Sequence, residues 1–186
     1  ARSKPIAGLP EMLLGNTPRD GGHLILEYEE AKDAIQNYDV NPALIRKFMG
    51  SQEFIRAQMR YCIWVSEAEA KNASINNWLR KRFDLVVGMR SASDRKTTNE
   101  LAVTPYRFGE VRQKGDETAI IVPRVSSESR PYLPVGFPPE GTIISDSAYT
   151  MFNAPVWCLA LIASRMHMIW IATVCGQLET RIRYSN

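Results

Sequence analysis

Residues 120–148, IIVPRVSSESRPYLPVGFPPEGTIISDSA, contain two apolar, β-branched runs separated by a polar, proline-rich segment. The runs at 120–122 and 142–144 predict buried strands, because branched side chains pack well on a pleated surface. Prolines fix the backbone and lack an N–H donor, so the segment between the runs predicts an ordered loop. Two strands would then support a stiff loop that carries arginines, hydroxyl groups and one carboxylate. Polar groups held in this way are suited to recognising a binding partner. The alternative is an ordinary polar surface hairpin.

On the N-terminal side, turn-forming residues alternate with short apolar runs. Residues 1–26 predict loops with short strands, residues 27–38 have a helical composition, and residues 60–65 predict a buried strand. Asn41 and Pro42 are typical of a helix start, with the asparagine as cap and the proline in the first turn. We expect that helix to continue with an apolar face formed by Leu44, Ile45 and Phe48.

Residues 74–93 give the strongest helical pattern in the chain. Apolar residues recur there at intervals of three and four, and basic residues fall largely between them. The basic cluster is either a solvated helix face or a face that contacts phosphate groups. Its candidate phosphate contacts are Arg80, Lys81 and Arg82.

Alternating segments predict further strands. Residues 106–113 predict one strand and residues 118–122 its return, so a meander of strands would fill the middle of the chain. Residues 177–184 alternate as well. One face of that strand would carry Leu178, Thr180 and Ile182, and the other would carry Glu179, Arg181 and Arg183.

Residues 154–176 are the most apolar stretch and are long enough to raise the alternative of a membrane-anchored protein. Arg165 and His167 stand near the centre of this stretch, where a charge is costly in lipid. We therefore expect two buried elements that meet near Ser164, with Arg165 and His167 partly exposed, and no membrane partner.

The composition suits one globular domain: 186 residues, 45% hydrophobic, with a formal net charge of +3. This charge is too small to indicate a nucleic-acid binder by itself. Three widely spaced cysteines in apolar settings predict buried thiols in a reducing compartment, and two histidines provide no metal cluster. The sequence begins without methionine or an apolar signal core, so we interpret it as a piece of a longer, cytoplasmic polypeptide.

The usual catalytic motifs are missing from the sequence, which contains no glycine-rich phosphate loop and no G-x-S-x-G elbow. We therefore expect no catalytic residue and no metal ligand in this segment. One enzymatic alternative stays open, a small hydrolase that uses Asp146 and His167. It requires the two side chains to lie within hydrogen-bonding distance.

Several long segments, in this order, resemble one protein family. They are GLPEMLLGNTPRDGGHLIL, RYCIWV, TPYRFGEVRQ, IIVPRVSSESRPYLPVGF, SDSA, SRMHMIWIATVCG and RYSN. Together they are similar to the target recognition domain of the MmeI-like Type II restriction–modification enzymes. Those bacterial enzymes join a nuclease, an adenine-N6 DNA methyltransferase and this specificity domain in one polypeptide.

The resemblance implies an α/β domain that clamps duplex DNA against the methyltransferase domain and reads base pairs in the major groove. With the meander described above, we expect an α+β fold over residues 1–186, a mixed, largely antiparallel sheet with packed helices in a single domain. The N-P-P-[YF] motif and the S-adenosylmethionine loop belong to the methyltransferase domain, and neither occurs here. We therefore expect no cofactor in this segment, and S-adenosylmethionine and Mg in the parent enzyme, which methylates and cleaves DNA.

The resemblance also implies which residues contact DNA. The base-reading positions of the family match the R-V-S-S-E-x-R loop, the S-D-S-A segment and the E-x-R-x-R strand of this chain. Arginine can bind guanine with two hydrogen bonds, and glutamate accepts one from cytosine. The expected DNA contacts are Arg124, Ser126, Ser127, Glu128, Arg130, Asp146, Ser147, Glu179, Arg181 and Arg183.

Overall fold

A computed structural model describes residues 8–127, 129–178 and 181–184, without the side chains of residues 177, 178, 181 and 182. The chain divides into two compact units. The first unit comprises Ala1–Gly15, Met49–Gln58 and Arg112–Asn186. The second comprises Asn16–Phe48 and Met59–Val111.

The second unit is built on three antiparallel strands in the order β2, β4, β3. They are β2 (Ile25–Glu27), β3 (Ile45–Met49) and β4 (Arg60–Ile63), with Leu26 opposite Tyr61 and Ile45 opposite Ile63. The predicted helix and the predicted buried strand are confirmed as α1 (Tyr28–Asn37) and β4. The remaining helices of this unit are α3 (Ala70–Ala73), α4 (Asn77–Ser91) and α5 (Lys96–Asn99).

Helix α4 confirms the strongest helical prediction, with a later start. The side chain of Asn76 accepts hydrogen bonds from the backbone N–H groups of Trp78 and Leu79, at 3.0 and 3.1 Å. This cap satisfies N–H groups that have no partner within the helix. The face that α4 buries is formed by Leu79, Phe83, Val86 and Arg90.

Two predictions for this unit are wrong. Asn41 does cap a turn, but Pro42–Leu44 is a single 3-10 turn that leads into strand β3 instead of a helix. Leu44, Ile45 and Phe48 can be buried by a strand as well as by a helix. Pairing with β4 therefore decides for the strand over the local preference for a helix. The strand predicted at 106–113 is absent, and within this segment only Glu110 forms a β-bridge, with Thr17. Phe108 instead packs against Trp64, with ring centroids 5.2 Å apart.

The first unit contains a three-stranded antiparallel sheet in the order β1, β8, β5. Its strands are β1 (Leu13–Leu14), β5 (Ala119–Pro123) and β8 (Ala148–Phe152). The buried strand predicted at 120–122 is confirmed, and its partner is β8. The second predicted run shortens to β7 (Ile143–Ile144), which is also buried. Antiparallel pairing in both units, together with the helices, confirms the α+β fold class.

A second, smaller sheet in this unit joins distant parts of the chain. Strand β10 (Arg181–Arg183) lies between β6 (Val125–Ser126) and β9 (Gln177–Leu178), antiparallel to both. Ile182 stands opposite Ser126, and Arg183 opposite Val125. The prediction of a single strand over 177–184 is wrong, because residues 177–178 and 181–183 form two strands that pair with each other. Residues 181–183 are a strand as expected, while Glu179 and Thr180 lie outside the described residues.

Residues 154–176 form α6 (Trp157–Ile162) and α7 (Arg165–Val174), with Ser164 capping α7. The break at Ser164 is as predicted, and Arg165 is exposed while His167 is half-buried. The expectation that both elements are buried is wrong, because one face of each helix points to solvent. Among the residues described, no helix has the length and apolar character needed to span a bilayer. The exposed apolar residues are Val156, Trp157, Leu161, Met166, Ile169, Trp170 and Val174.

Candidate functional site

A groove of about 770 Å³ in the first unit is lined by four arginines and four serines. Helix α2 (Ser51–Arg56) lines it together with the loop that begins at Arg124. Six of the ten residues expected to contact DNA line this groove. Its described lining is Ser51, Gln52, Ile55, Arg56, Arg124, Val125, Ser126, Ser127, Arg130, Ser147 and Arg183.

Strand pairing brings two of the expected contact segments together. Strand β6 belongs to the loop that follows β5, and it pairs with β10 near the C terminus. The backbone N–H of Tyr184 also donates to the carbonyl oxygen of Arg124, at 2.8 Å. The exposed side chain of Arg183 and the side chain of Arg124 therefore line the same groove.

Ser51 joins the S-D-S-A segment to the loop that begins at Arg124. Its hydroxyl accepts a hydrogen bond from the backbone N–H of Arg124, at 3.1 Å, and donates to the carbonyl oxygen of Ser147. Its backbone N–H donates to the hydroxyl of Ser147, at 3.2 Å. One residue at the start of α2 thus fixes the spacing between the arginine loop and the S-D-S-A segment.

Gly50 allows this close approach. A Cβ atom on Gly50 would lie 2.0 Å from the hydroxyl oxygen of Ser147, which is far inside van der Waals contact. The backbone N–H of Gly50 donates to the buried carboxylate of Glu53, at 2.9 Å, and this bond caps the start of α2. Any larger residue at position 50 would separate α2 from Ser147.

Arg124 is held on several sides. Its guanidinium donates to the carbonyl oxygen of Asp146, at 3.4 Å, and lies 5.9 Å from the ring centroid of Tyr149. Tyr149 in turn packs edge-on against Tyr184, with ring centroids 5.7 Å apart. Burial raises the pKa of Tyr184 to about 12, with smaller contributions from Cys175 and Tyr149. Tyr184 therefore stays neutral and packs as an aromatic ring against Tyr149, whose own ring faces the guanidinium of Arg124.

The electrostatics of the groove favour an anion. Its described lining contains four guanidinium groups and no carboxylate. The side chains of Arg56, Arg130 and Arg183 make no hydrogen bond or ion pair among the residues described. Several unpaired guanidinium groups around a row of hydroxyls can bind an extended polyanion by charge and by hydrogen bonds.

The other expected contacts lie elsewhere or cannot be placed. Asp146 is outside the groove lining, and its carboxylate accepts a hydrogen bond from the hydroxyl of Ser145, at 3.2 Å. Glu128 and Glu179 lie outside the described residues, as does the side chain of Arg181. Sequence reasoning missed the four groove residues of α2, which carry no local motif: Ser51, Gln52, Ile55 and Arg56.

The basic cluster of α4 divides into two kinds of residue. Arg80 and Lys81 are exposed. Arg82 is half-buried, forms an ion pair with Glu30, donates to the carbonyl oxygen of His23 at 2.7 Å, and lies 4.4 Å over the ring of Trp78. The first two remain candidate phosphate contacts, whereas Arg82 is engaged within the second unit.

The geometry gives no support to the hydrolase alternative. Asp146 and His167 share no hydrogen bond, and the Nε2 atom of His167 is buried without a hydrogen-bond partner among the described residues. Burial also lowers the pKa of His167. In the part of the chain that the structure describes, no three His, Cys, Asp or Glu side chains are grouped closely enough to hold a metal ion.

The chain is similar to known proteins along its whole length. The family model described as "MmeI, target recognition domain" matches residues 1–186. DNA methyltransferase A of Bacillus subtilis (strain 168) is 40% identical over 185 residues, which cover 100% of this chain and 21% of that protein. The solved structure of the Type IIL restriction-modification enzyme MmeI in complex with DNA is 34% identical, with a TM-score of 0.91. That match covers 99% of this chain and 24% of the other, so the chain spans only a fifth to a quarter of these relatives.

Proposed function

The chain belongs to the family of the MmeI target recognition domain, and we propose that it recognises a specific sequence in duplex DNA through the groove of the first unit. The observation that carries this proposal is the convergence of three separate segments on one groove. Each segment was expected to contact DNA from the family resemblance alone, and pairing of β6 with β10 and the bonds of Ser51 bring them together.

The groove offers the two kinds of contact that sequence recognition needs. Arg124 is held by Asp146 and Tyr149, and a fixed guanidinium can bind guanine O6 and N7 in the major groove. Ser126, Ser127, Arg130, Ser147 and Arg183 add hydroxyl and guanidinium donors around it. The expected contacts Glu128, Asp146, Glu179 and Arg181 belong to the same three segments and remain part of the proposal.

We further propose that residues 1–186 act as the recognition domain of a longer, cytoplasmic polypeptide that methylates adenine and cleaves DNA. The catalytic N-P-P-[YF] motif does not occur in this sequence. The described lining of the groove also contains no carboxylate that could bind Mg. S-adenosylmethionine and Mg would therefore bind in other domains of that polypeptide, and this domain would supply the specificity.

The exposed face of α6 and α7 suggests where the rest of the polypeptide packs. Seven large apolar side chains point to solvent there, including Trp157 and Trp170 at 52% and 63% exposure. Exposed apolar surface of this kind marks an interaction site. We propose that the methyltransferase domain of the same polypeptide covers it, since relatives of this chain are four to five times longer.

The test is the methylated motif of the full polypeptide. Replacing Arg124 with alanine is expected to cost about 1–3 kcal/mol of discrimination at one base pair, because one bidentate contact is lost. Sequencing methylated adenines in a host that carries the variant should show one position relaxed and the others kept. Arg165→Ala, an exposed arginine of the same unit outside the groove, is the control. An unchanged motif at full activity for Arg124→Ala would refute base recognition by this residue.

A further inference from the structure

We propose that helix α2 supplies a contact to the DNA backbone, with Arg56 binding a phosphate group and Gln52 assisting it. This inference rests on the proposed function of the groove. Neither residue belongs to the segments matched to the family's base-reading positions. Both line the groove, and both are exposed.

The anchoring of α2 fixes which of its side chains line the groove. Phe54 packs against the buried cluster that includes Ile121 and Ile144, and Glu53 is buried as part of the cap at Gly50. The helix ends at Ala57, which has left-handed backbone angles (φ 52°, ψ 37°). Gln52 and Arg56 are four residues apart, so they lie on one face, one turn above the other.

Arg56 differs from Arg124 in how its side chain is held. Arg124 contacts Asp146 and Tyr149, whereas the guanidinium of Arg56 makes no hydrogen bond or ion pair with the described residues. Discrimination between bases requires a side chain held in one orientation. A phosphate group accepts a hydrogen bond from many directions and carries no sequence information, so an untethered arginine suits it.

A plain surface role for Arg56 is the competing explanation, because cations near the C-terminal end of a helix are favourable and common. Its place in the groove argues against that explanation. Three other guanidinium groups line the same groove without a carboxylate among the described lining residues, and clustered positive charges repel one another. A bound polyanion removes this repulsion for all four groups at once.

The experiment measures the salt dependence of DNA binding by the full polypeptide. Binding of a duplex with the methylated motif and of an unrelated duplex is followed by fluorescence anisotropy between low and moderate salt, for wild type, Arg56→Gln and Arg165→Gln. A lost phosphate contact lowers the slope of log K against log salt by roughly one unit. We expect Arg56→Gln to lower the slope by this amount on both duplexes and to leave the methylated motif unchanged.

Each contrary result has its own meaning. A slope for Arg56→Gln equal to that of wild type and Arg165→Gln would overturn the phosphate contact while leaving the proposed function intact. Weaker binding of the specific duplex alone, with an altered motif, would also overturn it, because Arg56 would then read a base. If wild type showed no preference for the specific duplex, the proposed function itself would fail.

Discussion

At the scale of single residues, Arg90 is a buried cation that joins distant parts of the second unit. It is fully buried, and its guanidinium donates to the backbone carbonyl oxygens of five residues, at 2.7 to 3.1 Å. The acceptors are Pro18, Arg19, Leu101, Thr104 and Arg107. One cation thus holds two separate segments, 18–19 and 101–107, against α4.

Replacing Arg90 with methionine keeps most of the side-chain volume and removes all five hydrogen bonds of the guanidinium. The carbonyl oxygens of Pro18, Leu101 and Thr104 keep a backbone N–H donor. We expect the free energy of unfolding to fall by roughly 3–5 kcal/mol, because five hydrogen bonds from a buried cation are lost together. Urea denaturation measures the loss. The matched control is Arg80→Met on the exposed face of the same helix, where a change within about 0.5 kcal/mol is expected. Equal stability of both variants would show that the Arg90 bonds contribute nothing.

His167 should make stability depend on pH. Burial lowers its pKa below the ordinary value of 6.5, and Nε2 is buried without a partner among the described residues. Below that ordinary value the unfolded chain binds a proton that the folded chain resists, so stability falls as the pH drops from about 7 towards 5. Thermal melts across this range should show a smaller fall for His167→Gln than for His23→Gln. An identical fall in the two variants would contradict this assignment.

Arg90 also shows what residue spacing can reveal. The pattern of residues 74–93 predicts basic residues largely between the apolar positions, and this is wrong for Arg90, which is buried. Leu79, Phe83, Val86 and Arg90 follow one another at intervals of four, three and four, so the arginine continues the buried stripe. This spacing is therefore enough to predict that Arg90 lies on the buried face. Its five acceptors could not be foreseen, because they lie in distant segments.

At the scale of elements, the prediction for α4 concerns Arg80 and Lys81. Both are exposed, and if they contact phosphate groups, replacing both with glutamine should lower the salt slope of DNA binding by roughly two units. Specific and unrelated duplexes should weaken equally. Lys32→Gln with Lys71→Gln, two exposed lysines of the same unit, is the charge-matched control. A slope equal to that of the control would identify the cluster as a solvated helix face.

Elements with one dominant local signal were predicted well, and those that depend on partners were not. Strand β5 and helix α4 follow from β-branched residues and from helical spacing. The apolar residues after Pro42 are compatible with a helix and with a strand. They form strand β3 because they pair with β4, which is distant in sequence. Residues 106–113 alternate like a strand, yet they have no strand to pair with beyond the single bridge of Glu110.

The same distinction holds for the groove. The arginine loop, the S-D-S-A segment and the C-terminal strand were recognised from motifs that are local in sequence. Their meeting in one groove depends on the pairing of β6 with β10 and on Ser51, which contacts Ser147 across 96 positions of the chain. Nothing in the residues around Ser51 indicates that contact, so α2 was not expected at the site.

At the scale of the whole molecule, the apolar face of α6 and α7 gives a prediction about assembly. Ile169→Glu together with Trp170→Gln changes side chains that are 62% and 63% exposed, so the fold of this chain should persist. In the full polypeptide the double variant should lower the melting temperature and speed proteolysis between domains, because a covered apolar residue contributes about 1.5–3 kcal/mol. Val103→Glu, also exposed, is the control. If the melting temperature and the proteolysis rate of the double variant equal those of the control, the apolar face is not covered in the full polypeptide.

The central claim is that duplex DNA binds in the groove of the first unit. Hydrogen–deuterium exchange of the full polypeptide, with and without a duplex that carries its methylated motif, tests this most directly. We predict slower exchange on DNA binding in three of the segments that contribute to the groove, α2 at 51–56, the arginine loop at 124–130 and the S-D-S-A segment at 145–148, and no change in α1 at 28–37. If DNA is bound and these three segments exchange as fast as before, the claim is contradicted.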